Sequence, residues 1–368
     1  MDAKKIRAIG AAVVAALWLV LILGAWFGPV QDISVAERRP LAQMPKATAQ
    51  SILSAKFMGE FEDFTLDQFP LRDTFRQLKA LFHYNALQQG DNNDIYMAQG
   101  FAAKMEYPLN EDSVNYAIGR FNRLYELYLK DSGSVVFQTV VPDKSYYLAE
   151  ENGYLAMDYQ KLFSMMQAGL PWAQYVDITD CLSIQSYYYT DTHWRQEHLF
   201  PAAQKLSQAL GVTQPEAGDF TQTPVEKPFY GVYYGQAALP MEAETMYTMN
   251  SSLLDACIVT NHETGKKVQV YDLEKLTSRD LYDIFLSGTT GLITIENPNA
   301  DTDRELIIFR DSFGSSLAPL LVQDYRTVTL VDIRSIAPEF LGNFVDFHGQ
   351  DVLFVYSSLV LNASETLK

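Results

Sequence analysis

Reading along the chain, the longest apolar run comes first. Lys4, Lys5 and Arg7 precede an uncharged stretch from residue 8 to about 30 that includes Val13, Val14, Leu17, Trp18, Leu19, Val20, Leu21 and Ile22. As a helix, that stretch crosses about 30 Å of hydrocarbon. A cleaved signal peptide carries a shorter apolar core, about 7–15 residues, and ends in a small-x-small site. The exit here, Gly24-Ala25-Trp26-Phe27-Gly28-Pro29, is a poor one, so an uncleaved signal anchor is expected, with secretion after cleavage as the alternative. Because the basic residues lie before the span, the positive-inside rule keeps residues 1–7 cytoplasmic and places everything after residue 30 outside the cytoplasm.

From 31 to 90 the pattern is helical. Apolar residues recur through Phe57, Phe61, Phe64 and Phe69, and again through Phe75, Leu78, Leu81 and Phe82, which predicts two helices broken at Pro70 in a membrane-proximal segment. This aromatic stripe is expected to pack, not to bind a ligand. From residue 91 to 368 short apolar runs alternate with amphipathic ones. Buried strands are expected at 134–141, 174–178, 306–309, 327–331 and 352–356, and helices at 113–129, 157–167, 196–210 and 316–322. Strands separated by helices imply an α/β domain with a mostly parallel sheet covered on both faces, and ligands beyond the carboxyl ends of its strands. The stretch from about 211 to 300, rich in Gly, Pro, Tyr and Thr, interrupts the alternation and reads as a β-rich insertion or cap.

Composition narrows the function. A formal net charge of -17 with no cluster of Lys and Arg excludes a generic nucleic-acid binder. Acidic partners are disfavoured for the same reason, while neutral substrates, sugars included, stay open. Cys181 and Cys257 are too few for a disulfide framework and have no metal-ligand spacing with a histidine; they either pair or stay as buried thiols. No metal or cofactor is implied.

Two short segments carry candidate chemistry. One is Tyr188-Tyr189-Thr190-Asp191-Thr192-His193-Trp194, between an expected strand and helix. The other is Ile307-Ile308-Phe309-Arg310-Asp311-Ser312-Phe313-Gly314, where a strand ends in a turn and a helix follows. A serine hydroxyl needs a base within hydrogen-bond reach and a carboxylate that orients the base. Asp191 and His193 supply both, and Ser312 sits where backbone N–H groups at a helix start can face an oxyanion. Gly314, Ser315 and Ser316 permit close backbone approach. The bland readings are an Asp-x-His surface pair and an ordinary helix cap. Among the other histidines, His348 after Asp346 is the second choice for a base.

The Asp191-Thr192-His193-Trp194 block followed by Arg310-Asp311-Ser312-Phe313-Gly314 resembles the DHHW family and the AlgX/AlgJ-type alginate O-acetylation proteins. The likeness continues through Val141-Pro142-Asp143-Lys144, Tyr282-Asp283-Ile284-Phe285-Leu286-Ser287-Gly288, Val331-Asp332-Ile333-Arg334, Glu37-Arg38-Arg39 and Asp67-Gln68-Phe69-Pro70-Leu71-Arg72. It implies an SGNH-hydrolase-like three-layer fold, with Asp191 as orienting acid, His193 as base and Ser312 as nucleophile. It also implies O-acetyl transfer to an exported or envelope polysaccharide, with a membrane protein delivering the acyl group. Carbohydrate esterase and non-catalytic glycan-binding protein are the alternatives. Thr192 departs from the first His of the family's name. Arg310 stands where esterases carry Gly, so it either reshapes the turn or brings a cation near the oxyanion. Trp194 is expected to pack beneath the His193 loop more than to stack a sugar. Asp332 with Arg334, and Asp143 with Lys144, are expected to hold strand ends, with a pocket role for Arg334 left open. Tyr230, Tyr233 and Tyr234 beside Gly231 and Gly235 fit a carbohydrate groove or core packing equally well.

Overall fold

The computed structural model describes residues 3–34 and 36–368. The chain divides into two compact units, Met1–Asn92 with Tyr234–Pro240, and Asn93–Tyr233 with Met241–Lys368.

In the first unit, helix α1 (Ala3–Phe27) has no buried residue and is long and apolar enough to cross a membrane. Such a helix fits a signal anchor or a signal peptide. Helices α2 (Lys56–Asp67) and α3 (Arg72–Leu81) follow. The break falls at Pro70, as expected, with Leu71 in the left-handed region at φ 57. Ion pairs help to hold these elements, beside aromatic contacts along α2 between Phe57, Phe61 and Phe64. Arg39 grips Asp67 through two bonds of 2.8 and 2.6 Å, holding that carboxyl down at about 2. Arg72 and Arg76 both reach Glu37. The expected packing of the second aromatic stripe holds only in part: Leu81 is half-buried and Phe75 meets Phe69 edge-on at 5.5 Å, but Phe75, Leu78 and Phe82 are exposed, while Arg72 and Arg76 face the ion pairs on the other side of α3. Periodicity shows that a helix has two faces; it does not show which one turns inward.

The second unit is built on one sheet. Its strands are β1 (Val135–Val141), β2 (Gln174–Tyr175), β3 (Ile258–Asn261), β4 (Lys266–Val268), β5 (Leu292–Glu296), β6 (Glu305–Arg310), β7 (Thr327–Val331) and β8 (Asp351–Ser357), in the spatial order β4-β3-β5-β7-β6-β8-β1-β2. From β7 to β2 the neighbours are parallel. The stretch from 211 to 300 mixes short strands with short helices, and β3, β4 and β5 from it extend the sheet antiparallel. Residue alternation divides each central strand between two faces. Ile307, Phe309, Val352 and Phe354 pack with Phe121, Leu162 and Met166 of helices α4 (Glu111–Leu124) and α5 (Tyr159–Gly169). Leu306, Ile308, Leu353 and Val355 pack with Leu206 and Leu210 of α6 (Phe200–Leu210) and with Phe313 and Leu317 of α7 (Phe313–Leu317). The result is the expected three-layer α/β arrangement.

Local chemistry shifts three boundaries. The strand expected at 174–178 pairs only at Gln174 and Tyr175, because Asp177 accepts the Thr179 N–H and starts a turn. The helix expected from 196 begins at Phe200, ahead of Pro201, which has no N–H to give to a longer helix. The helix expected from 316 begins at Phe313, immediately after Ser312.

Candidate active site

The register aligns the carboxyl ends of β6, β8 and β1, with Arg310 opposite Val355 and Ser357 opposite Val141. At this edge β6 runs out and Asp311 makes the turn. Its Oδ1 accepts the Phe313 N–H at 3.0 Å and its Oδ2 the Ser357 N–H at 2.8 Å, so one buried carboxylate ties the start of α7 to the end of β8. Ser312 stands at the start of that helix without a side-chain capping bond and is partly exposed. Gly314 is a steric requirement, since a Cβ there would lie 2.6 Å from Arg310 Cβ.

The Asp-His loop meets this turn. His193 Nε2 is 2.8 Å from Ser312 Oγ, and His193 Nδ1 is 2.6 Å from Asp191 Oδ1. With the carboxylate accepting from Nδ1–H, Nε2 is left to accept from the hydroxyl. Asp191 is fully buried and His193 nearly so. The loop is short and closed: Tyr188 N–H donates to His193 O at 3.1 Å, and His193 N–H donates to Asp191 Oδ1 at 3.0 Å.

Residues distant in sequence complete the mounting. Val232 N–H donates to Asp191 Oδ2 at 2.7 Å, and Gly231 N–H to Thr190 Oγ1 at 2.8 Å. Gly231 leaves no room for a side chain, because a Cβ there would lie 2.3 Å from Asp191 Cα, Cβ and N. The Glu244 carboxylate takes the N–H groups of Tyr189 and Thr190 and the Thr190 hydroxyl, all within 2.6–2.7 Å. Lys144 Nζ donates to Tyr188 O at 3.0 Å and lies 4.9 Å from the centre of the Tyr233 ring. Burial pushes this ammonium down to about 7, while Asp191, Glu244 and Asp143 pull it back up. The Tyr282 ring stacks on the His193 imidazole at 3.9 Å and 9°. Its hydroxyl meets Ser316 Oγ at 2.7 Å, and burial raises its pKa, so it stays neutral.

The remaining candidates have definite places. Trp194 is buried and donates its indole N–H to Ser316 Oγ at 2.8 Å, a packing role beneath the loop. Arg310 is buried with its guanidinium at the carbonyls of Thr290, 3.2 Å, and Gly288, 3.4 Å, and 4.0 Å from Asp332. Arg334 forks onto Asp332 at 2.9 and 2.6 Å. Asp143 is buried, accepting from Tyr159 and Ser358 hydroxyls. Tyr233 is buried and donates its hydroxyl to Thr192, whereas Tyr230 is exposed. His348 lies on the surface with Glu305 and Asp346. Cys181 and Cys257 are free thiols, each pushed up to about 11 by burial. The expectation about helix-start N–H groups needs correction: Phe313 and Gly314 N–H are already taken by the Asp311 side chain and carbonyl. Among the described residues Ser312 N–H has no acceptor. Gly231, Glu244 and Tyr282 carry no recognisable motif of their own; Lys144 and Tyr282 at least lie in stretches that bear the family likeness.

Fold and geometry together define a three-layer α/β scaffold with a serine, a histidine and an aspartate in hydrogen-bonded series at the strand ends. The profile described as DHHW protein matches residues 175–331, which include both loops, and the expected likeness to that family is borne out. Among solved structures, a DHHW family protein from Eubacterium siraeum is 22% identical with a TM-score of 0.60, covering 75% of this chain and 95% of its own. Bacillus cereus PatB1, determined with a sulfonyl adduct, is 18% identical with a TM-score of 0.56, covering 73% and 95%. Both share the fold. The O-acetyltransferase domain of Pseudomonas putida AlgJ aligns at 13% identity with a TM-score of 0.45 over 73% and 92%, too distant to add to the fold assignment. No curated protein sequence matches the chain.

Proposed function

We propose that this chain is a membrane-anchored, extracytoplasmic serine acyl-ester enzyme that transfers an O-acetyl group to an exported or envelope polysaccharide. The observation that carries the reading is the unbroken series Asp191–His193–Ser312, with both bonds inside 2.8 Å. His193 Nε2 takes the Ser312 proton as Oγ attacks the acyl carbonyl, and Asp191 stabilises the imidazolium through Nδ1–H. The oxyanion faces Ser312 N–H. Collapse of this tetrahedral intermediate expels the donor's leaving group, which takes the proton from His193 and leaves Ser312 acylated. A sugar hydroxyl, deprotonated by the freed His193, then attacks the acyl-enzyme carbonyl, and on collapse Ser312 Oγ leaves with that proton from His193, releasing the acetylated sugar. Transfer to a sugar, with a membrane protein supplying the acyl group, is what the family likeness implies. On this reading helix α1 anchors the chain, residues 31–90 form the membrane-proximal segment, and residues 91–368 form the enzyme domain.

The test incubates the full chain with an activated acetyl ester, with and without oligosaccharides, and follows acetate release and sugar acetylation. Ser312→Ala and His193→Ala are each expected to lose at least about 10⁴-fold in turnover. Acetate release that no sugar diverts assigns an esterase. Equal turnover by wild type and both variants removes the enzyme reading. PatB1 was captured with a sulfonyl adduct; sulfonyl reagents trap activated serines, so covalent labelling of this chain at Ser312, lost in His193→Ala, is a second readout.

A further inference from the structure

Helix α3 is inside out for a helix in water. Leu71, which precedes the helix in the left-handed region, is followed by Phe75, Leu78 and, just past the last residue of α3, Phe82, at spacings of three and four that mark one face of a helix. These side chains are 67%, 44%, 56% and 57% exposed. The opposite face carries Arg72 and Arg76, which are turned to Glu37 in the same unit. A water-facing helix places its charges outward and its apolar stripe toward the core. Here the ion pairs occupy the inner face, so the outer stripe is matched to an apolar medium.

The position of the stripe says which medium. The turn that starts α3 sits against α1: a Cβ on Gly24 would lie 2.9 Å from Pro70 Cγ. Gly24 is three residues from the end of α1, about 4.5 Å along its axis, where the exposed Trp26 and Phe27 suit the headgroup level. Leu71 directly follows Pro70, so the stripe begins at the outer boundary of the span. We infer that α3 is an interfacial helix, its Leu71, Phe75, Leu78 and Phe82 face resting in the extracytoplasmic leaflet of the bilayer that α1 crosses. The occupant of the face is lipid, and the depth follows the usual range for such helices, roughly 5–10 Å into the headgroup and acyl boundary. This rests on the anchor reading of α1 given above.

The experiment uses the full chain in phosphatidylcholine vesicles, with Cys181→Ser and Cys257→Ala as background. An environment-sensitive fluorophore is placed at Leu78→Cys, Phe82→Cys or, as a control on the charged flank, Asp73→Cys. Thermal melting verifies that each variant folds, and intact mass verifies that α1 is retained. Emission at 78 and 82 is expected to shift to the blue and to be quenched by brominated lipid several-fold more than at 73. Equal quenching at all three overturns the inference. So does a blue shift at 78 and 82 without lipid quenching, which means that a second copy or a partner protein covers the stripe. Loss of α1 by cleavage overturns the anchor reading and this inference together, whereas α1 retained with a wet stripe overturns this inference alone.

Discussion

The serine arm and the histidine arm of the site are built in different ways. Ser312 is mounted by its immediate neighbours: Asp311 caps Phe313 and holds Ser357 on the adjacent strand, and Gly314 clears Arg310. The Asp191–His193 loop is mounted from elsewhere, by Lys144 and by Gly231, Val232 and Glu244, each about 40 to 55 residues away in sequence, and by the ring of Tyr282. Two of these, Lys144 and Glu244, are buried charges set on backbone groups of the loop. A strand-turn-helix corner is rigid because its backbone already satisfies itself. A loop that presents an imidazole has spare N–H and C=O groups, and burying them requires partners.

The sharpest way to test this contrast is to add one methyl group to each arm. Gly231→Ala sets its Cβ 2.3 Å from Asp191 backbone atoms, which have no freedom to move aside. Displacing the carboxylate by about 1 Å is expected to cost about 10²-fold in turnover, read as kcat in the acetyl-ester assay. Glu244→Gln comes next. Its amide sets an NH2 against the N–H of Tyr189 or Thr190, costing about 1–3 kcal/mol of stability by denaturant melting, with kcat falling and KM retained. Gly314→Ala is the matching change on the serine arm. Its Cβ meets Arg310 Cβ at 2.6 Å, a milder overlap than the 2.3 Å at Asp191 and with a residue outside the Asp-His-Ser series, so the overpacking cost is about 1–3 kcal/mol and the loss of kcat is smaller than for Gly231→Ala. If the two glycine variants lose kcat equally, the contrast between the arms is wrong.

The smallest effect is a slope. Burial lowers Lys144 to about 7 from its ordinary value of 10.5, so between those limits the unfolded chain binds more protons than the folded one, and stability rises with pH. The cost of the buried ammonium is present in full below pH 7 and fades toward 10.5. The stability of wild type relative to Lys144→Met is therefore expected to rise across that window. A flat difference means that Lys144 is not held below its ordinary range.

Much of the architecture is legible in the chain. The near-continuous apolar runs in β1, β6, β7 and β8 mark strands buried on both faces, and the long uncharged run at the start is a helix in the structure. Both chemical loops stand out because Asp-x-His and Asp-Ser-x-Gly lie where strands give way to helices. What is not legible is which distant residue meets which loop atom. Glu244 and Gly231 lie in the irregular stretch after 211, where no period constrains the path of the chain.

Sequence by itself determined the periodic elements, the candidate nucleophile, base and acid, and the apolar span, because each is written in residues next to or a few places from one another. Only the tertiary structure decided how the Asp191–His193 loop is held and which face of α3 turns outward. Periodicity and local turn chemistry act over one or two turns of chain, whereas partners for buried carbonyls, and the choice between core and surroundings for an apolar stripe, depend on where the whole chain returns.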